Sequence, residues 1–114
     1  MTTQYTITCG LDTNGNDDRI TWNGERATAK EIALTLAAEY FPHGHTIREV
    51  TGRWMSQNGP VDEPTIEIVW MATDAQKANG EAHALVNKVA GLYKQHCYQE
   101  AVMVTTQEVY SVFV

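Results

Sequence analysis

Cysteine is scarce in this chain: only Cys9 and Cys97 occur in 114 residues, in no CxxC pair and at no metal-ligand spacing from any histidine. A disulfide framework and a zinc site therefore have no support, and two buried free thiols are the expected state. Basic residues are also few, eight against fourteen acidic ones, for a net charge of -6 and a pI near 5.0. Such a field repels phosphates, which disfavours nucleic acid as a partner and favours a basic protein surface. No run approaches the ~20 apolar residues of a membrane span. The start, MTTQYTITCG, has neither the basic beginning nor the apolar core of a signal peptide, so no membrane association and a cytoplasmic location are expected. Internal repeats and low-complexity segments are missing as well.

What remains is ordinary globular composition, 43% hydrophobic and 19% charged. That is enough to bury one core, and a single domain over residues 1–114 is expected. Tyr5, Ile7, Cys9 and Leu11 alternate with Thr6, Thr8 and Gly10, the two-residue period of a half-buried strand. Asp12 to Asp18 (DTNGNDD) is a polar loop, and Asn23-Gly24 after Ile20-Thr21-Trp22 has the chemistry of a tight turn. Asp12, Asn14 and Asn16 fit the first places of a calcium loop. Asp17 then stands where glycine is needed and Asn23 where a bidentate glutamate belongs, so no metal is assigned.

Thr28 with Glu31 is a capping box, opening a helix whose apolar stripe is Ile32, Ala33, Leu36, Ala37 and Tyr40 and which Pro42 ends. A turn at His43-Gly44-His45 leads to a strand over Thr46–Met55, with a bulge expected near Gly52. Ser56 to Asp62 reads as a hairpin loop and Thr65–Ala72 as the returning strand. Thr73 with Gln76, or Asp74 alone, caps a second helix with Ala82, Leu85, Val86, Val89, Leu92 and Tyr93 on its buried stripe. A fourth strand at Ala101–Thr105 follows, with Val109–Val114 as its continuation or a short fifth strand.

Strand, helix, strand, strand, helix, strand is the split βαβ order of the ferredoxin-like fold. This predicts an α+β domain with an antiparallel sheet ordered 4-1-3-2, both helices on one face, and a C-terminal strand extension. One end of that sheet gathers the Asp12–Ala27 loop, the Ser56–Pro64 hairpin and the turn from His96 to Glu100.

The runs FPHGHT at 41–46, GRW at 52–54, EPT at 63–65 and QEAV at 99–102 resemble an uncharacterised small bacterial and phage family, a domain of unknown function with the pattern F-P-x-G-x-T, G-x-W, E-P, Q-E-x-V. The resemblance covers about the C-terminal two thirds of the chain and implies a compact domain without an established activity. Many relatives are exported, and the missing signal peptide fits phage-encoded relatives better.

Topology and resemblance converge on Trp54, Glu63, Gln99 and Glu100, which should meet at one end of the sheet as a ligand or partner site. Glu63 and Gln99 could equally pin loop backbone. A small anionic ligand such as a nucleotide-like signal would need Arg19, Arg26, Arg48 or Arg53 for charge and Trp22 or Trp54 for stacking. His43 and His45 should lie at the opposite end as exposed turn residues. With no catalytic constellation visible, the leading expectation is a non-enzymatic binding module without cofactor, a phage counter-defence protein acting on a host protein or a small anionic ligand. The alternatives are a small dimeric ferredoxin-like enzyme using a carboxylate or histidine, and an assembly protein without ligand. The helix-free face of the sheet carries Val69 and Met71, and a homodimer through it or through the C-terminal edge is expected.

Overall fold

The computed structural model describes residues 2–112 and 114. Strand β1 (Thr2–Gly10) starts three residues before the alternation becomes visible in sequence. It lies at the centre of a four-stranded sheet with β4 (Thr46–Ser56), β5 (Gly59–Ala72) and β6 (Met103–Val109), in the order β4-β5-β1-β6. All three pairings are antiparallel. Helices α1 (Ala29–Tyr40) and α3 (Glu81–His96) cover one face, so the domain is the expected α+β, ferredoxin-like arrangement.

The core forms where Tyr5, Ile7 and Cys9 of β1 and Ile66 and Ile68 of β5 meet Ile32 and Leu36 of α1 and Val86, Val89 and Tyr93 of α3. Burying these side chains, at roughly 25 cal/mol per Å² of apolar surface, is what holds the helices to the sheet. Helix α1 begins as its sequence dictates. The Thr28 hydroxyl accepts from the Glu31 amide at 3.1 Å and the Glu31 carboxylate accepts from the Thr28 amide at 3.2 Å. Thr28→Ala is therefore expected to cost about 1 kcal/mol, read as a lower urea midpoint with an unchanged slope.

The second helical region departs from the single element expected. A four-residue helix α2 (Asp74–Lys77), also opened by a capping box, is separated from α3 by Asn79 and Gly80 at φ of 63° and 73°. The left-handed pair at Asn79-Gly80 breaks the hydrogen-bond ladder, and the apolar stripe resumes only at Ala82. At its far end α3 closes in a Schellman turn, the Gln99 amide donating to the Lys94 carbonyl at 3.1 Å with Tyr98 in the left-handed position at φ 56°.

Three strand expectations are corrected. The segment read as a hairpin loop, Ser56 to Asp62, is mostly strand: the turn is Gln57-Asn58, and pairing runs from Thr46↔Val69 to Ser56↔Gly59. Gly52 sits opposite Glu63 in that uninterrupted ladder, so there is no bulge; the glycine serves a close approach instead, described below. Since β1 pairs with β5 only from Gly10↔Thr65 onward, the tip of the β4–β5 hairpin projects past the sheet as a two-stranded ribbon. Strand β6 starts later than expected and runs to Val109; residues 110–112 carry no strand, and Phe113 of the expected continuation lies outside the described residues.

The loop after β1 contains a small hairpin, β2 (Thr21–Trp22) and β3 (Glu25–Arg26), closed by Asn23 and Gly24, both at positive φ. That is the handedness a two-residue hairpin turn requires.

Candidate functional site

Side chains of β1 alternate, so Thr8 and Gly10 face away from the helices while Ile7 and Cys9 face the core. The same period puts Glu63, Val61 and Trp54, the cross-strand partner of Val61, on the helix-free face. Where β1 ends, the projecting ribbon rises on one side and the segment from Gln99 to Met103 on the other. Between them lies an open cleft of about 780 Å³, lined by Thr8, Gly10, Asp12, Asn14, Trp54, Met55, Gln57, Val61, Glu63 and residues 99–103.

The structure thus brings together Trp54, Glu63, Gln99 and Glu100, as the topology implied. It does not bring Trp22, Arg48 or Arg53 to them. Trp22 is half-buried on β2, its ring edge-on to His96 at 5.1 Å between centroids. Arg48 lies farther along the same face, its Nε 3.6 Å from Glu67. Arg53 is one residue from Trp54, so it projects from the opposite face, where it donates to both oxygens of Asp62 at 2.8 and 3.2 Å. Among the described residues no Arg or Lys lines the cleft, whereas Asp12, Glu63 and Glu100 do. Arg26 is paired with Asp18, far from a role in this cleft.

Gly10 lies in the floor of the cleft, and Gly52 shapes its tryptophan wall. A Cβ on Gly52 would fall 2.7 Å from Thr65 Oγ1 and 3.0 Å from Trp54 Nε1, so the Trp54 indole folds back over bare backbone. A Cβ on Gly10 would fall 2.6 Å from Glu63 Oε1. The Glu63 carboxylate occupies that space, with Oε2 accepting from the Asp12 amide at 3.0 Å. Gln99 grips the same residue from the other side, its Nε2 donating to the Asp12 carbonyl at 2.6 Å and to the Cys97 carbonyl at 3.0 Å. Both residues pin backbone and both line the cleft. For Glu63 the two roles are compatible, because Oε1 has no hydrogen-bond partner among the described residues.

Side-chain hydrogen bonds hold the polar loop. Asn14 Nδ2 donates to the Tyr98 carbonyl at 2.9 Å, Asp12 Oδ1 accepts from the Asn14 amide at 2.9 Å, and the Thr13 hydroxyl donates to Asp17 at 2.6 Å. Among the described residues no group of three or more His, Cys, Asp or Glu is disposed to hold a metal. His45 is at the other end of the sheet, its Nδ1 2.9 Å from the Phe41 carbonyl.

Beneath the floor, on the core side, lie three buried ionisable groups. The Tyr93 hydroxyl donates to the Gly10 carbonyl. Burial, and then the neighbouring Cys97, pushes the Cys9 thiol up to about 12. Burial also pushes Cys97 up to about 12, against an opposing hydrogen bond from Tyr93, and it raises the Tyr93 hydroxyl above its ordinary range. These thiols are free but stay protonated near neutrality, which removes them as nucleophiles.

Sequence reasoning missed Gly10, Asp12 and Asn14 as site residues. The signal for Gly10 was present: a glycine ending a well-patterned strand marks a close approach.

A ferredoxin-like domain with an open, acidic, tryptophan-walled cleft on its helix-free face is the class this geometry defines. The chain belongs to the family of proteins of unknown function DUF3574, whose model matches residues 24–113. Comparison with curated protein sequences returns no match. Among solved structures the chain is similar to a phage SAM lyase in complex with S-methyl-5'-thioadenosine, at 15% identity and a TM-score of 0.67, covering 94% of this chain and 81% of that one. The apo phage SAM lyase matches at 16% identity and a TM-score of 0.63, covering 98% and 89%. CutA from Synechococcus elongatus matches at 7% identity and a TM-score of 0.49, covering 93% and 74%. The phage lyase structures correct the expectation of a non-enzymatic binding module, because the fold shared along nearly the whole chain is one that carries an enzyme. No helix among the described residues is long and apolar enough to cross a membrane.

Proposed function

We propose that the protein is an enzyme acting on a sulfonium nucleoside of the S-adenosylmethionine class, bound in the cleft between the β4–β5 ribbon and residues 99–103. The observation that carries this reading is the lining of the cleft: Trp54 beside Glu63 and Glu100, with no cationic side chain among the lining residues. An aromatic face and a carboxylate with an uncommitted oxygen suit a compact positive centre attached to a flat heterocycle. They do not suit a phosphate. The fold's likeness to phage SAM lyase supports the same ligand class.

The reaction proposed is cleavage of a carbon–sulfur bond of the sulfonium. The carboxylate of the substrate's own aminobutyrate arm attacks that arm's γ-carbon, so a C–O bond forms as the Cγ–S bond breaks. The carbon fragment leaves as a lactone, and the bonding electron pair returns to sulfur, which leaves as the neutral thioether S-methyl-5'-thioadenosine. That leaving group needs no proton, consistent with a site that offers carboxylates and no histidine. What the protein supplies is orientation of the sulfonium and a carboxylate field that holds it in the cleft. Because S-adenosylmethionine donates methyl groups, its consumption would act on every host reaction that needs it, and the counter-defence role is proposed in that form.

The test is incubation of purified protein with S-adenosylmethionine, following nucleoside products by liquid chromatography and mass spectrometry. Enzyme-dependent appearance of S-methyl-5'-thioadenosine is expected. The absence of both turnover and calorimetric binding at millimolar S-adenosylmethionine would overturn the reading.

A further inference from the structure

We propose that Gly10 and Gln99 are positioning residues for Glu63, Gly10 by leaving the space that its carboxylate fills and Gln99 by fixing the Asp12 backbone to which that carboxylate is bound. The inference rests on the reading that the cleft binds a cationic ligand at Glu63.

Glutamate has three rotatable side-chain bonds, and at an open cleft its carboxylate would ordinarily sample several directions, at an entropic cost when it is ordered. Here its position is over-determined. The ideal Cβ position of Gly10 lies 2.6 Å from Oε1, closer than real Cβ atoms come, and 3.0 Å from both Cδ and Oε2. A side chain at residue 10 and the present position of the carboxylate are mutually exclusive. Gly10 is not at a left-handed φ, so the backbone itself does not require glycine there. Its reason for being glycine is the carboxylate above it.

The second constraint comes through Asp12. Its amide donates to Glu63 Oε2 at 3.0 Å. Asp12 lies in a loop that could move, but the Gln99 side-chain amide ties its carbonyl to that of Cys97 at distances of 2.6 and 3.0 Å. Both acceptors are carbonyls, which fixes the orientation of the Gln99 amide with its nitrogen toward them. Gln99 is itself held at the end of α3 by the bond from its own amide to the Lys94 carbonyl. One face of the Gly10 peptide is also locked from below by the Tyr93 hydroxyl. The chain of contacts from α3 through Gln99 and Asp12 to Glu63 ends with Oε2 occupied and Oε1 left for a ligand.

Gly10→Ala tests this sharply, since the displaced group is the end of a flexible side chain rather than backbone and the fold can accept the change. We expect kcat/KM for S-adenosylmethionine to fall tenfold or more with little change in melting temperature, and no further loss when Gly10→Ala is added to Glu63→Gln. Equal, additive losses in both backgrounds would overturn the proposal. A ligand-free readout separates it from the functional reading: the Asp12 amide proton at pH 7 should move upfield in Gly10→Ala and in Gln99→Ala toward its position in Glu63→Ala. If it stays at the wild-type position in both, the positioning role is wrong whatever the protein binds. If it moves but the wild type neither binds nor turns over S-adenosylmethionine, the positioning stands and the ligand class falls. Should Gly10→Ala not fold, Gln99→Ala on the exposed turn carries both measurements.

Discussion

Replacing Glu63 by glutamine is expected to lower kcat/KM for S-adenosylmethionine about a hundredfold, or about 2.7 kcal/mol, while the protein keeps its fold. The substitution is close to isosteric. The amide oxygen can still accept from the Asp12 N–H that Oε2 now satisfies at 3.0 Å, so the stability cost stays near 1 kcal/mol. At the Oε1 position, however, a donor replaces an acceptor and a full negative charge is lost. A cation about 4 Å from a carboxylate gains roughly 4 kcal/mol at an effective permittivity of 20. An open cleft keeps part of that gain. Steady-state kinetics beside circular dichroism checks the expectation, and Trp54→Ala, which removes the aromatic wall without touching charge, should act mainly on KM. Wild-type kinetics in Glu63→Gln together with loss in Glu100→Gln would transfer the cation to Glu100.

The contrast between what was readable in the sequence and what was not has a physical basis. Element type and sheet order followed from periodicity: Tyr5, Ile7 and Cys9 at a spacing of two, and Val86, Val89 and Tyr93 at three and four, are core positions in the structure as in the pattern. Boundaries failed where local chemistry was ambiguous. The Asn58-Gly59-Pro60 punctuation placed the hairpin turn well, but polar Asp62 and Glu63 beside it concealed that the strands continue to the tip, because a solvated ribbon has no apolar alternation to show. Gly52 was read as a bulge, and the structure shows that it accommodates the Trp54 indole and Thr65 instead. Both readings follow from a missing Cβ, and only the cross-strand register separates them.

The site was legible as a neighbourhood and not as a mechanism. Topology alone brings Trp54, Glu63, Gln99 and Glu100 to one end, since chain direction sorts loops by end. It could not assign faces to the ribbon, and so Arg53, adjacent to Trp54, was included although β alternation sends it to the other side. The residue that decides where the Glu63 carboxylate sits, Gly10, has no side chain to announce a function.

The second large effect expected is alkaline unfolding driven by the cluster under the cleft. Burial holds Cys9 and Cys97 up to about 12 in the folded protein, against 9.0 for an unperturbed thiol. In the unfolded chain they ionise near pH 9; in the folded protein they do not. Between these limits the unfolded state binds fewer protons than the native state, so unfolding becomes easier as pH rises. The stabilisation is complete below about pH 9 and is lost as pH climbs toward 12, with Tyr93 adding to the loss above the tyrosine range. Each thiol can contribute up to about 1.4 kcal/mol per pH unit, so a combined slope of up to about 2.7 kcal/mol per unit is expected from pH 9 to 11. Urea unfolding at fixed pH measures it. A Cys9→Ala/Cys97→Ala protein should be less stable at pH 7, through the cavities it contains, yet show a flatter dependence above pH 9. An equal slope in both proteins would remove the thiols as the cause. Since Tyr93 also holds the Gly10 carbonyl from below, ionisation of this cluster loosens the floor on which Glu63 rests, and ligand binding should be lost over the same alkaline range or before it.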